Sequence, residues 1–209
     1  NLLVAAPDFL TRTATAIKIM GIYLWKLIVP YPLACDYSYN QIKIVGLGDI
    51  KVLISLLVYL AMTILAVWGL KKKNVLSFAV IFFFISMSVY SNLIMLIGSS
   101  FGERFLFVPS FAFSLFIAFI ITELIFKQVF TNKVFLTVLP LLFIYLGLTL
   151  SRNKDWKSSL SLYEADIRKS PESAHMNYYY GLEIMKEKAM ENGVVTKPEY
   201  LDTAIYYFK

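Results

Sequence analysis

The sequence predicts an all-α protein: a polytopic bundle of transmembrane helices over residues 1–150, followed by tetratricopeptide-like helical repeats over 151–209. Three observations predict it. Four long apolar runs, 49–70, 75–97, 111–126 and 134–150, are separated by short polar links. The chain is 58% hydrophobic and 16% charged, with a mean hydropathy of +0.66. After Leu150 the pattern changes to amphipathic helices. At about 1.5 Å rise per residue, runs of this length match a ~30 Å hydrocarbon slab. None has the polar face that a long soluble helix needs.

Taken in order, the first element is 11–29, apolar but broken by Arg12, Lys18 and Lys26. Its Tyr23 and Trp25 suit the headgroup zone, so it reads as a membrane helix with snorkelling ends or as an interfacial helix. Pro30-Tyr31-Pro32 forbids its continuation. The run 49–70 opens on Asp49, a favourable N-terminal residue, and closes on Lys71-Lys72-Lys73. Lys127 and Lys133 flank the link between 111–126 and 134–150. Basic links mark the cytoplasmic side, so 30–48, 98–110 and the tail are expected outside: in the periplasm of a bacterial inner membrane, or alternatively in the lumen of the endoplasmic reticulum.

The tail begins at Ser151-Arg152-Asn153-Lys154-Asp155. Trp156, Leu160, Tyr163 and Ile167 recur at helical spacing until Pro171 stops them. Tyr180, Gly181 and Ile184 then fit the first helix of a tetratricopeptide repeat, with Ala204 and Phe208 at the small and aromatic positions of the second. The two helices are too far apart for an ordinary repeat, so an insertion around 190–199 is expected to loop out.

The charge distribution removes several functions. The net charge is +6, but residues 151–209 hold nine basic and nine acidic side chains, so the excess lies entirely beside the membrane. A nucleic-acid partner is therefore not expected. Cys35 is the only cysteine and His175 the only histidine, which excludes an intrachain disulfide and leaves zinc or haem nothing to bind to. No metal site is expected.

Two outside loops carry more chemistry than their lengths require. The first, 30–40, sets Asp36 among Tyr31, Tyr37 and Tyr39; the second, 101–110, holds Glu103 and Arg104 side by side. Charges at a helix mouth need water, headgroups or a substrate. A guanidinium fork fits two phosphate oxygens, so Arg104 is a candidate donor-phosphate ligand, with Glu103 beside it. Alternatively Arg104 pairs with Glu103 or with lipid phosphate. Glu123 lies four residues before Lys127 and reads as a helix-surface pair. Met87, Met95 and Phe82–Phe84 read as packing bulk, Asn92 as a helix-to-helix hydrogen-bonding group, and Tyr178, Tyr179 and Tyr180 as repeat packing.

These loops, in this order, resemble the transmembrane and tetratricopeptide-repeat-containing O-mannosyltransferases. The stretch Pro32-Leu33-Ala34-Cys35-Asp36-Tyr37-Ser38 is similar to that family's Leu-Cys-x-Asp-Trp-Ser loop. Glu103, Arg104, Leu106, Phe107, Pro109 and Ser110 match its Glu-Arg-x-Leu-Tyr-x-Pro-Ser signature. Tyr37 stands where Trp is usual and Phe107 where Tyr is usual. The residue composition and the absence of any Asn-x-Ser/Thr sequon suit a bacterial relative.

The resemblance implies a GT-C glycosyltransferase fold. It also implies transfer of a sugar, mannose in the family, from a polyprenyl-phosphate donor to a protein acceptor positioned by the repeats. No resident cofactor is implied. The acidic catalytic loop of the family would lie upstream of Asn1, leaving Asp36 as the candidate base within these residues and the segment inactive alone. A second reading, a membrane-anchored repeat scaffold without catalysis, leaves the Glu-Arg and Asp-Tyr-Ser loops unexplained. A transporter would need broken helices with polar midplane residues.

Overall fold

The computed structural model describes residues 1–38, 40–71, 74–126, 132–191 and 193–208. Tyr39, Lys72, Lys73 and Lys127, singled out above, lie outside the described residues. The chain is all-α apart from one two-residue hairpin.

Helix α1 spans Phe9–Ile28; its N-cap Asp8 accepts a hydrogen bond from the Thr11 N–H at 2.8 Å. Helices α2 (Ile50–Leu70) and α3 (Val75–Ser88) open on Asp49 and Asn74, whose side chains accept from Lys51 N–H and Leu76 N–H. Helix α4 covers Pro109–Phe119, with proline in its first turn where no amide partner is lost. It continues through a wider π-type turn, Ile120–Phe126. Helix α5 runs over Asn132–Asp155.

Two expectations change. The apolar run 75–97 is helical only to Ser88. Asn92 stops it: its backbone has φ 56°, and its side chain accepts from Ile97 N–H and donates toward the Ser99 and Ser100 carbonyls. Asn92 therefore folds the loop between α3 and α4 rather than bridging two helices. Helix α5 continues from the apolar run into the polar stretch ending at Asp155.

Helix α2 is the one described helix long and apolar enough to cross a membrane; only 17% of its most apolar window is buried. Helices α3 and α4 are apolar but shorter. Packing of α1 on α2 is close: a Cβ at Gly21 would sit 1.9 Å from Ser55 Oγ, the small-residue contact that lets helix backbones approach. One apolar core joins Ile19, Met20 and Tyr23 of α1 to Phe83 and Met87 of α3, Phe101, Leu106 and Ala112.

In the tail, α6 (Ser159–Ile167), α7 (Ala174–Ile184) and α8 (Glu199–Phe208) form a second core around Met176, Tyr180, Ile184 and Ala204. Gly181 lies against Phe208 and the Ala204 carbonyl, where a Cβ would meet the ring at 2.8 Å. The inserted stretch forms a hairpin, β1 (Met190–Glu191) against β2 (Val194–Val195), turning at Gly193 with φ 81°.

A buried carboxylate joins the two cores. Asp166 on α6 is 0% exposed. It accepts from Arg152 Nη1 and Nη2, at 2.6 Å each, from Lys169 Nζ at 2.9 Å and from Cys35 N–H at 2.8 Å. Burial pushes its pKa up, but the bonds from Arg152, Lys169 and Cys35 outweigh this and hold it below the ordinary carboxylate range. Asp155 is likewise held low, chiefly by Arg152.

Replacing Arg152 with Ala removes two of the four hydrogen bonds on a buried charge that keeps Lys169 and the Cys35 amide, so the tail should lose about 1.5–3 kcal/mol of docking stability. Faster hydrogen exchange across Ala174–Ile184 would register it, and unchanged exchange would refute the role. With depressed folded-state pKa values, this contribution is complete above the ordinary aspartate pKa. It is lost as pH falls through the lowered values, so tail protection should collapse on the acid side and not the alkaline one.

Candidate functional site

The loop between α1 and α2 is a joint. Its Asp36 carboxylate accepts from Ser38 N–H (2.8 Å) and Ser173 Oγ (2.7 Å), and lies 3.8 Å from His175 Nδ1. Ser173 caps α7, so Asp36 holds the loop at the start of that helix. Ser38 Oγ accepts from His175 N–H (3.1 Å), and the Asn40 N–H donates to the Glu172 carbonyl (2.8 Å). Partial burial raises the Asp36 pKa, but hydrogen bonds from Ser173 and Ser38 and the field of His175 bring it below the ordinary range. A carboxylate so stabilised as the anion is a weak base.

The second loop is split by its own backbone. Glu103 turns inward, accepting a hydrogen bond from Tyr37 Oη and lying 3.8 Å from Lys26 Nζ. Burial raises its pKa, against the opposing effects of the Tyr37 bond and Lys26. Arg104 turns the other way, its guanidinium 5.1 Å from the Phe105 ring. Among the described residues Arg104 forms no ion pair, with Glu103 or any other carboxylate. The sequence neighbours therefore have separate partners. Tyr37 also packs edge-on against Phe101 at 4.9 Å, and burial raises its phenol pKa. Pro109 and Ser110 open α4, with Ser110 Oγ donating to the Phe107 carbonyl at 2.6 Å.

These groups meet at a cleft of about 1400 Å³. Its mouth carries Lys26, Glu103, Arg104, Arg152, Asp155 and Lys169. Its floor is apolar, built from α4 (Phe113, Ile117, Ala118) and α5 (Leu141, Leu142, Leu148). Tyr145 of α5 reaches toward the Ile28 carbonyl at 3.4 Å, bringing α5 to the end of α1. Ser110 lines the same cleft, whereas Asp36, Tyr37 and Ser38 stand behind it in the joint with α7. The chemistry available is binding of a ligand with an anionic head and an apolar body.

Lys26 reads in the sequence as a charge at a helix end and Arg152 as the start of the tail; neither they nor Lys169 stand out there as site residues, yet all three line the cleft. The local pairs Arg152–Asp155 and Asp166–Lys169 are readable as three-residue helix spacings. The link from Arg152 to Asp166 is made only by the turn between α5 and α6. A second hollow of about 790 Å³ lies between α7 and α8, lined by Ala174, Asn177, Tyr178, Tyr206, Tyr207 and Phe208. Among the described residues no cluster of His, Cys, Asp or Glu could hold a metal ion.

A family profile described as "Protein O-mannosyl-transferase TMTC, DUF1736" matches residues 3–63, covering α1, the Asp36 loop and the first two-thirds of α2. Over 168 residues the chain is 29% identical to the protein O-mannosyl-transferase F38B6.6 of Caenorhabditis elegans, spanning 76% of this chain and 23% of that protein. It is 26% identical over 184 residues to protein O-mannosyl-transferase TMTC1 of Mus musculus, covering 84% and 19% of the two chains. Against TMTC3 of Homo sapiens it is 24% identical over 189 residues, 88% and 21%. The chain thus spans about a fifth of the length of the curated relatives it matches. No solved structure matches it. With the profile on its first helices and these proteins aligned across most of its length, the chain is TMTC-like, similar to the protein O-mannosyl-transferases.

Proposed function

We propose that these residues form the donor-binding cleft and the first acceptor-facing helices of a membrane O-mannosyltransferase. The donor is a polyprenyl-phosphate-linked sugar and the acceptor a protein on the outer or lumenal face. One observation carries this: the cleft pairs a cationic mouth with an apolar floor, matching a ligand whose phosphate is at the membrane surface and whose chain lies in hydrocarbon. Helices α2 to α5 are read as the membrane bundle and the loops and tail as its outside face. The names of the similar proteins support mannose transfer to protein.

Each residue then has a task. Arg104, the mouth cation without an ion-pair partner among the described residues, takes the phosphate. It also stabilises the charge that develops as the sugar departs. Lys26 adds positive potential but is held by Glu103 and the Pro32 carbonyl. Glu103 and Tyr37 fix the loop wall behind the phosphate. Asp36 fastens that wall to α7, which turns the hollow between α7 and α8 toward an acceptor chain as the first tetratricopeptide-like surface. The bonds on Asp36 favour this fastening role over that of base for the acceptor hydroxyl.

In the complete enzyme, Arg104→Ala should lower transfer about 10²-fold, the cost of losing one preorganised charge-stabilising donor. Arg104→Lys should recover part of it, because charge survives without the fork. Wild-type turnover in both variants at normal expression would sink the assignment. A cysteine placed at Ser158, with Cys35 replaced by Ala, should react with an impermeant maleimide from the outer face of intact cells. Reaction only after the inner membrane is permeabilised would invert the topology.

A further inference from the structure

Helix α1 has the length of a membrane span, about 30 Å for 20 residues, yet the polar side chains along it from Thr15 to Lys26 reach the two loops that flank α2 and α4 at their starts. The turn Leu2–Ala5 before it folds back, Leu2 and Leu3 packing in one core with Ala16, Ile19 and Tyr23, and there Leu2 N–H donates to Ser100 Oγ at 2.5 Å and Asn1 Nδ2 to the Ile97 carbonyl at 2.6 Å. Near its other end, Tyr23 Oη accepts from Gly102 N–H at 3.0 Å and Lys26 faces Glu103. All four partners belong to the single loop joining α3 to α4.

Between those ends, Thr15 and Lys18 bond to Val45 and to the Lys43 carbonyl in the loop between α1 and α2. The core under α1 uses Phe83 and Met87 from the last turns of α3, Leu106 from the short turn Glu103–Leu106 and Ala112 from the first turn of α4. Two of its contacts with α2, through Ser55 and Tyr59, lie in the first half of that helix. A spanning helix would instead place one end beside Leu70 and Val75.

We infer that α1 is not a span but an interfacial helix, lying across the outer end of the bundle with its exposed face in the outer leaflet of the bilayer. The exposed apolar side chains of α1 lie at its two ends, Leu10 near the start and Ile28 at the finish, with Ile17 half-buried between them and Leu24 packed on the core. Leu10 is 62% exposed and Ile28 57%. Trp25, also exposed, flanks that face as an interfacial anchor. The face is continuous in character with the exposed apolar side chains of α2, beginning at Ile50 and Leu53, so one lipid surface covers both.

Arg12, Lys18 and Lys26 then need not enter hydrocarbon. Lys18 and Lys26 end on backbone carbonyls of outside loops, and a basic helix at the headgroup level suits anionic lipid. The inference is independent of the donor reading, and it sets the mouth of the cleft at headgroup depth, because Lys26 and Ile28 line that cleft.

The test uses the complete membrane protein with Cys35 replaced by Ala and single cysteines introduced by Val4→Cys, Tyr31→Cys and Gly98→Cys. An impermeant maleimide should label all three from the same face of sealed vesicles. Labelling of Val4→Cys and Tyr31→Cys from opposite faces would overturn the inference. Spin labels at Leu10→Cys and Ile28→Cys, in phosphatidylcholine–phosphatidylglycerol liposomes, should be reached by oxygen and shielded from a water-soluble nickel complex. Access to nickel would mean water covers the face. Shielding from both relaxants would mean that protein does, and either result refutes the lipid contact.

Discussion

The buried Asp166 carboxylate is the constraint on which the arrangement of this chain depends. An ion with no exposed surface is costly unless its lone pairs are filled, and Asp166 fills them from three separate segments. Arg152 brings the end of α5, Lys169 the turn after α6, and the Cys35 amide the loop between α1 and α2. Satisfying one charge therefore fixes the angle between the last apolar helix and the tail. It also fixes the loop wall that stands over the cleft. Asp36 repeats the device one turn further along, bonding the same loop to the N-terminus of α7.

This joint explains how a tail built on its own small core can contribute to the mouth of a cleft in the other part of the molecule. Arg152, Asp155 and Lys169 face that mouth while they bind Asp166. Their charge is therefore partly neutralised, and Arg104 is left as the mouth cation without a carboxylate partner among the described residues. The division of Glu103 and Arg104 between two faces of a short helical turn, Glu103–Leu106, makes this possible. Both line the cleft, but Glu103 is held by Tyr37 and Lys26 while Arg104 is exposed.

Much of this was legible in the residues. The apolar runs located α2, α4 and α5, and the N-caps at Asp49 and Asn74 are local signals in a local place. The Pro30 stop and the looped insertion near residue 190 were also readable. The run 75–97 misled because apolarity sets where a segment can lie, not whether it stays helical. A single Asn92 side chain collecting loop carbonyls ended the helix nine residues early. The pairing of Glu103 with Arg104 was a natural expectation from adjacency, but neighbours in a tight turn point apart, and Lys26 and Tyr37 reached Glu103 instead.

The sequence by itself determined the all-α class, the segments that cannot remain in water and the two loops rich in polar chemistry. These follow from composition and short-range periodicity, which act over one or two helical turns. Only the tertiary structure decided that Asp166 anchors three segments, that both flanks of α1 meet the same loop, and that the cations of four elements share one mouth. Those facts rest on pairings across 14 to 131 residues. Such pairings are selected by the joint cost of burying charge and apolar surface at once, a sum over the whole fold that no local pattern records.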